Sequence, residues 1–136
     1  MRIMAIDYGD AHTGIAISDP TGLLAGFTTV INSRRQEVVV EQVTALAKEH
    51  GAEELVLGHP VNMDGTLGPR SEKAKAMKVL LEEATSLPVV LWDERRTTID
   101  AHNILFNSGK NAKQRKKVVD AVAASLILEG YLTFKK

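Results

Sequence analysis

Cysteine is absent from this chain of 136 residues. Its absence excludes a disulfide framework, a zinc–thiolate site and a thiol nucleophile. Long hydrophobic runs are also missing, because no stretch approaches the roughly 18 apolar residues that a membrane helix needs. The apolar N-terminal run is too short for a signal peptide and is interrupted by Asp7. We therefore expect a cytosolic protein that has no contact with a membrane.

Aromatic residues and net charge are both scarce. Aromatics account for 4% of the chain, so base stacking is not expected to be the main mode of binding nucleic acid. The 17 basic and 17 acidic residues cancel, whereas proteins that bind phosphates are usually basic overall. The basic residues are unevenly distributed, however, and residues 110–117 contain five of them without an acid. This segment could contact backbone phosphates, although such a run is usually a solvated loop.

The hydrophobic content of 44% is enough for the core of one domain, and we expect residues 1–136 to form a single domain. Apolar and alternating segments predict five strands, at residues 3–8, 14–18, 23–31, 55–57 and 89–92. The last two strands follow predicted helices, which favours right-handed parallel crossovers. The expected fold is α/β, with a mixed five-stranded sheet (an antiparallel three-stranded meander plus two parallel strands) flanked by α-helices.

Apolar residues at helical spacing predict where the helices lie. The first helix is expected to end at Gly51, which is placed as a C-terminal cap. Ser71 is expected to cap the second helix, whose predicted apolar face comprises Ala74, Met77, Leu81 and Ala84. Residues 99–106 are predicted to form a short helix and residues 107–117 a polar, basic and mobile loop. The last helix is expected over residues 118–131.

Acidic residues follow two of the predicted strands. Asp7 ends an apolar strand and precedes Gly9, at the carboxyl edge of the sheet, where ligands bind in open α/β folds. The alternative is that Asp7 only accepts hydrogen bonds from turn amides. The segment from Asp93 to Arg96 has the same placement. Its two acids suit a divalent cation and its two arginines suit phosphate oxygens, with a surface ion-pair cluster as the alternative.

A third acid, Asp120, lies early in the last predicted helix, on the flank of its apolar face. The alternative is an acid that the helix macrodipole favours near the N-terminus. Oxygen-only ligands suit Mg²⁺ or Mn²⁺, and two such ions about 3.5–4 Å apart can activate water at a phosphodiester. The four histidines lack metal-ligand spacing, so a structural or solvated role is expected for each, including His59 at a strand end.

Four motifs follow one another along the chain. They lie at residues 7–19 (Asp-Tyr-Gly, then Gly-Ile-Ala-Ile-Ser-Asp), 58–68 (Gly-His-Pro-Val-Asn-Met-Asp-Gly, then Gly), 93–98 and 120–128. In this order they resemble the motifs of the YqgF-type family of RNase H-like proteins. Members of that family are described as pre-16S rRNA nucleases or as Holliday junction resolvases. The motifs span nearly the whole chain, which makes the resemblance specific.

The resemblance implies an RNase H-like fold and a metal-dependent nuclease that uses Mg²⁺ or Mn²⁺. It implies that Asp7, Glu94 and Asp120 are catalytic and bind the metal. Asp93 is the fallback for Glu94, although strand alternation would point it to the opposite side from Glu94. Pre-rRNA, or branched DNA, would be the partner. Basic residues near these acids are the candidates for binding nucleic acid, namely Arg95, Arg96, Lys113, Arg115, Lys116 and Lys117.

Two features depart from a simple match to that family. Ala11 and His12 stand in the first turn where the family usually has a Lys-Arg pair, so one contact with nucleic acid would be missing. In an RNase H-like sheet the fifth strand, which precedes Glu94, lies two positions from the first strand. The two backbones are then about 10 Å apart, so the side chains of Asp7 and Glu94 must reach toward each other.

Four functions are compatible with these residues. The leading hypothesis is a nuclease that matures the 5′ end of pre-16S rRNA in ribosome biogenesis, as a monomer or a homodimer. Resolution of Holliday junctions in DNA recombination and repair uses the same chemistry and would favour a dimer. ATP-binding relatives of actin and sugar kinases also begin with a strand, Asp-x-Gly and a hairpin, but they close ATP between two such domains. A non-catalytic nucleic-acid-binding or regulatory protein would bind without metal-dependent turnover.

Overall fold

The computed structural model describes residues 2–19, 25–59, 68–93 and 112–135. Within these ranges the chain forms five strands and three helices in the predicted order. They are β1 (Arg2–Asp7), β2 (His12–Ser18), β3 (Ala25–Asn32), α1 (Gln36–His50), β4 (Ala52–His59), α2 (Pro69–Thr85), β5 (Val89–Asp93) and α3 (Ala112–Lys135). The short helix predicted over residues 99–106 lies outside the described residues.

The described strands form one sheet with the order β3-β2-β1-β4-β5. β1 pairs antiparallel with β2 and β2 pairs antiparallel with β3, which is the predicted meander. β4 pairs parallel with β1 on one side and with β5 on the other. The predicted mixed sheet is therefore confirmed, and β1 occupies its centre.

β1 is buried on both faces because its apolar run contributes to two cores. Met4 and Ile6 belong to the core that also contains residues of α1 and α2, and we call this side of the sheet the α1/α2 face. Ile3 and Ala5 belong to the core that contains residues of α3, and this side is the α3 face. Burial of one large aliphatic side chain contributes about 1.5–3 kcal/mol, so β1 stabilises both layers.

The ends of the first two helices follow different rules. Gly51 ends α1 as predicted, since its left-handed φ of 68° lets its N–H reach the carbonyls of Ala47 and Lys48. The predicted cap at Ser71 is wrong, because α2 begins at Pro69 with Gly68 as the residue before it. Proline suits the first turn of a helix, where a backbone N–H has no intrahelical partner.

The apolar face of α2 is shorter than predicted. Ala74, Met77 and Leu81 are buried, but Ala84 is exposed. In the last turn it is Thr85 that lines a groove with Ala47 of α1, so Ala84 faces away from that helix. The helical spacing was therefore correct up to Leu81 and failed only in the final turn.

The basic segment before Asp120 is helical rather than a loop. α3 begins at Ala112, so Lys113, Arg115, Lys116 and Lys117 lie within it, and the predicted loop over residues 107–117 is wrong for this part. Lysine, arginine and glutamine are good helix formers, and they extend a helix without needing an apolar face. None of the helices in the described residues is long and apolar enough to cross a membrane.

The last turns of α3 lie over β4 and β5. The hydroxyl of Tyr131 donates a hydrogen bond to the carboxylate of Glu54 on β4. Gly130 lies beside the ring of Trp92 on β5, where a Cβ atom would come within 3.2 Å of it. α3 also packs against β1, β2 and β3. The helix therefore contacts both the antiparallel and the parallel part of the sheet.

Replacement of Tyr131 by phenylalanine tests this attachment of α3. Burial and the Glu54 carboxylate raise the pKa of Tyr131 to about 12. The stabilisation is complete below pH 10, where Tyr131 is protonated in both states, and is lost as the pH rises through 12. We expect Tyr131→Phe to lower the free energy of unfolding by about 1–2 kcal/mol at pH 8 and by much less at pH 12, measured by urea denaturation.

Tyr8→Phe is the matched control for this substitution. The Tyr8 hydroxyl forms no hydrogen bond within the described ranges, so its removal should leave the unfolding free energy nearly constant. An equal loss for both variants, or a Tyr131→Phe loss that does not change with pH, would contradict the role assigned to the Tyr131–Glu54 hydrogen bond.

Candidate active site at the carboxyl edge of the sheet

Asp7 is the last residue of the central strand and the first polar residue after its apolar run. Ile3 and Ala5 face α3, so the alternation of side chains along a strand places Asp7 on the α3 face as well. The residue is half-buried. Asp7 thus places a carboxylate at the carboxyl edge of the sheet, where the surrounding strands shield it partly from water.

Both neighbours of Asp7 in the adjacent strands are glycines. Gly14 of β2 pairs directly with Asp7, and the pairing of Ile6 with Leu57 makes Gly58 the neighbour on β4. No side chain from these two strands therefore stands beside the carboxylate on the α3 face. With the residues that the structure describes, the Asp7 side chain forms neither an ion pair nor a hydrogen bond. The alternative role, acceptance of hydrogen bonds from turn amides, has no support in these contacts.

The turn that follows Asp7 is held tightly in place. A Cβ atom at Gly9 would lie 2.4 Å from the carbonyl oxygen of His12, so a larger residue does not fit there without movement of the backbone. The ring of His12 lies 2.7 Å (Nδ1 to Oδ1) from the side chain of Asn32 at the end of β3. These contacts fix the backbone on which the Asp7 carboxylate is presented.

Asp93, at the carboxyl end of β5, lies on the other face of the sheet. Val90 and Trp92 pack with the α3 core, whereas Val89 and Leu91 pack with the α1/α2 core. Alternation therefore assigns Asp93 to the α1/α2 face, opposite Asp7. Glu94 lies outside the described residues, as do Arg95 and Arg96.

His59, at the carboxyl end of β4, shares the α1/α2 face with Asp93. The two residues are paired in the parallel register of β4 and β5. The Nε2 atom of His59 lies 2.6 Å from the hydroxyl oxygen of Ser71, which is completely buried in α2. His59 therefore joins the end of β4 to α2, which agrees with the structural role expected for it.

The remaining predicted site residues lie in α3. Asp120 lies in the helix together with the four basic residues that precede it, Lys113, Arg115, Lys116 and Lys117, and the side chains of all five are outside the described part. Among the described residues no group of three or more His, Asp or Glu side chains could hold a metal ion. Asp7 fits one position of a Mg²⁺ or Mn²⁺ site, because it is an anionic oxygen donor without a competing partner there.

Comparisons with known proteins cover nearly the whole chain. The family model described as "RuvX: Holliday junction resolvase" matches residues 1–134. A protein of Halothermothrix orenii is 43% identical over 135 residues, which is 99% of this chain and 96% of that protein. A protein of Geobacillus kaustophilus is 41% identical over 138 residues and is covered completely, as is this chain. Both relatives bear the name of a candidate pre-16S rRNA nuclease.

A solved structure shows the same fold at lower identity. It is Thermus thermophilus RuvC in complex with a Holliday junction substrate, with a TM-score of 0.65 and 15% identity. The match covers 100% of this chain and 97% of that one. The predicted RNase H-like fold is thereby confirmed, and the match to the family model confirms the resemblance drawn from the four motifs.

Replacement of Gly9 by alanine tests how far the site depends on its tight turn. The added Cβ atom would overlap the His12 carbonyl, so the turn has to shift. We expect Gly9→Ala to lower the free energy of unfolding by about 1–3 kcal/mol in urea denaturation. Ala11→Gly, in the same turn, removes an atom instead and should cost less than 1 kcal/mol, roughly the entropy of one added glycine. Equal stability of Gly9→Ala and the unsubstituted chain would contradict the predicted overlap.

Proposed function

The chain belongs to the RuvX family, described as Holliday junction resolvases, and from this premise we propose that it is a nuclease that hydrolyses phosphodiester bonds. We propose that it processes the 5′ end of pre-16S rRNA, which the names of its relatives support. Residues 1–136 would act as one RNase H-like nuclease domain. The observation that carries the proposal is the Asp7 carboxylate, half-buried at the carboxyl end of the central strand and without a competing partner in the described residues.

Asp7, Glu94 and Asp120 form the proposed acidic set. Asp7 lies on the α3 face, and α3, which contains Asp120, packs on the strands of that face. Asp93 lies on the opposite face from Asp7. This disfavours Asp93 as the acid that completes the set and leaves Glu94 as the proposed residue.

The acids that follow β1 and β5 would have to approach each other across β4, which lies between these two strands. The two outer backbones are separated by two strand spacings, about 10 Å. At the level of Asp7 the β4 residue is Gly58, which has no side chain on the α3 face, and the β5 residue is Trp92. Glu94 is two residues beyond Trp92 in the sequence, and a glutamate, which is longer than an aspartate, suits the remaining distance to Asp7.

The acidic set would hold Mg²⁺ or Mn²⁺ through carboxylate oxygens. The bound ion would supply a water of lowered pKa and stabilise the charge that develops on the leaving oxygen. Arg95 and Arg96 follow Glu94 directly and would hold the phosphate oxygens through their guanidinium groups. The helical basic residues Lys113, Arg115, Lys116 and Lys117 would contact neighbouring phosphates along the same strand.

Holliday junction resolution is the second candidate function. The family description and the fold shared with RuvC favour it. It needs the same chemistry, but on two symmetric strands of DNA. Cleavage of a four-way DNA junction in preference to a pre-16S leader would favour this candidate, and binding of nucleic acid without metal-dependent turnover would favour a non-catalytic role.

Replacement of Asp7 by asparagine tests the site. The variant keeps the shape of the side chain but loses the charge that holds the metal, so cleavage of a pre-16S leader with Mg²⁺ or Mn²⁺ should fall by at least about a thousand-fold. The rate should be measured on RNA leader, single strands and a four-way DNA junction in parallel. An unchanged melting temperature would show that the fold is intact, and undiminished cleavage would refute the assignment of Asp7.

Replacement of Glu94 and of Asp93 distinguishes the two adjacent acids. Glu94→Gln should reduce cleavage about as strongly as Asp7→Asn, because it removes a second metal ligand. Asp93→Asn is the matched control, since it removes the same charge one residue earlier on the α1/α2 face, and it should retain most of the activity. A larger loss in Asp93→Asn than in Glu94→Gln would reverse the assignment.

A further inference from the structure

A second group of basic residues lies beside the turn that follows Asp7. Arg34 comes from the loop between β3 and α1, and Arg70 and Lys73 come from the first turns of α2. All three are exposed. Arg70 and Lys73 line a small cleft together with Tyr8 and Asp10. We call Arg34, Arg70 and Lys73 the edge patch.

The edge patch has an excess of positive charge. Its acidic neighbour is Asp10, whose carboxylate lies 3.2 Å from the ammonium of Lys73. The pKa of Asp10 is lowered first by Lys73 and then by Arg70 and Arg34, so all three cations stabilise the same carboxylate. The positive charge of Lys73 and the negative charge of Asp10 offset each other. Arg34 and Arg70 form no ion pair with a described residue.

Other basic residues near this end of the sheet are neutralised by an acid. Arg35 pairs with Glu37 at 2.7 Å, and Lys75 lies 3.9 Å from Glu72. Arg34 and Arg70 differ from these two, since they have no ion pair with a described residue. Three cations around the single carboxylate of Asp10 leave an excess of positive charge, which favours an anionic ligand.

The edge patch borders the proposed active site. Asp10 is three residues from Asp7, in the turn whose glycine closes against His12. The backbone N–H of Ser33 donates to the carbonyl of Ala11 at 3.0 Å, which ties the loop that carries Arg34 to that turn. The patch adjoins the α1/α2 face, whereas the helix α3 packs on the other face.

We propose that the edge patch binds the phosphodiester backbone of the nucleic acid strand on the side of Asp7 that is remote from α3. This inference rests on the proposed nuclease function. Long, exposed cations contact phosphates without reading the base or the sugar, so the patch would set the position of the strand rather than its sequence. The turn itself contributes no lysine or arginine, because residues 11 and 12 are alanine and histidine.

The double substitution Arg34→Gln/Arg70→Gln tests the proposal. Each phosphate contact with a single strand contributes about 0.7 to the salt slope, or roughly five-fold in affinity at 0.1 M salt. Loss of two contacts should weaken binding of a fluorescent single-stranded RNA about 25-fold and reduce the slope of log affinity against log salt by about 1.4. Binding is measured in EDTA to prevent cleavage, on RNA and on DNA of the same length.

Lys48→Gln/Lys78→Gln is the matched control. It removes the same charge from the last turn of α1 and the middle of α2, away from the carboxyl edge, and should leave affinity and slope nearly constant. Asp10→Asn should act in the opposite direction, because it frees Lys73, and binding should become tighter. This gain cannot result from a damaged fold.

The outcomes separate the edge patch from the nuclease function. Equal affinities for Arg34→Gln/Arg70→Gln and the lysine control would overturn the edge patch while cleavage by the unsubstituted chain still stands. An effect confined to RNA would overturn the assignment of a phosphate contact, since DNA has the same phosphates. Binding that weakens as expected in a chain that does not cleave would support the patch and refute the nuclease function.

Discussion

Burial of β1 on both faces is the constraint on which the rest of the structure depends. A strand in the middle of the sheet has to supply apolar side chains to two layers, and the run from Ile3 to Ile6 does so. Its backbone is then paired on both sides, by β2 and by β4. A carboxylate at the end of such a strand is held in a fixed position, because neither the strand nor its neighbours can shift without exposing one of the two hydrophobic cores.

The alternation of side chains along the strands divides the carboxyl edge into two functional surfaces. Asp7 belongs to the α3 face, whereas His59 and Asp93 belong to the α1/α2 face. His59 is used there to hold the end of β4 against Ser71 of α2. One face thus carries the proposed chemistry, and the other carries the contacts that keep the strand ends in register.

Strand order and helix order were predictable because they depend on local periodicity, but several boundaries were not. β4 extends over Ala52–His59 rather than residues 55–57, because its two ends pair with β1 and β5. The polar Glu54 accepts a hydrogen bond from Tyr131, 77 residues away, which the local sequence does not reveal. α2 begins two residues before Ser71, and here too a contact with a distant residue decides the role of the side chain. The Ser71 hydroxyl is engaged by His59, a contact that does not follow from the local sequence.

In the candidate site, too, some residues could be predicted from the local sequence, whereas the placement of others depends on contacts between distant segments. Asp7 could be predicted because a strand end and a following glycine are adjacent in sequence. The face of Asp93 depends on which residues of β5 contact which helix, and this is decided by the packing of α3. Arg34 and Arg70 are 36 positions apart in the chain and carry no motif, so only the fold shows that they act on the same carboxylate.

The net charge of the whole chain is a poor guide to its partners, because a ligand responds mainly to the charges close to it. Two cations of the described helices are paired within a turn, Lys75 with Glu72 and Lys78 with Glu82, and these pairs contribute little to a distant ligand. What a phosphate experiences is the charge within about a Debye length, roughly 8–10 Å in physiological salt. A neutral protein can therefore present a cationic edge, provided that its acids lie elsewhere or, as proposed for Asp7, bind a metal ion.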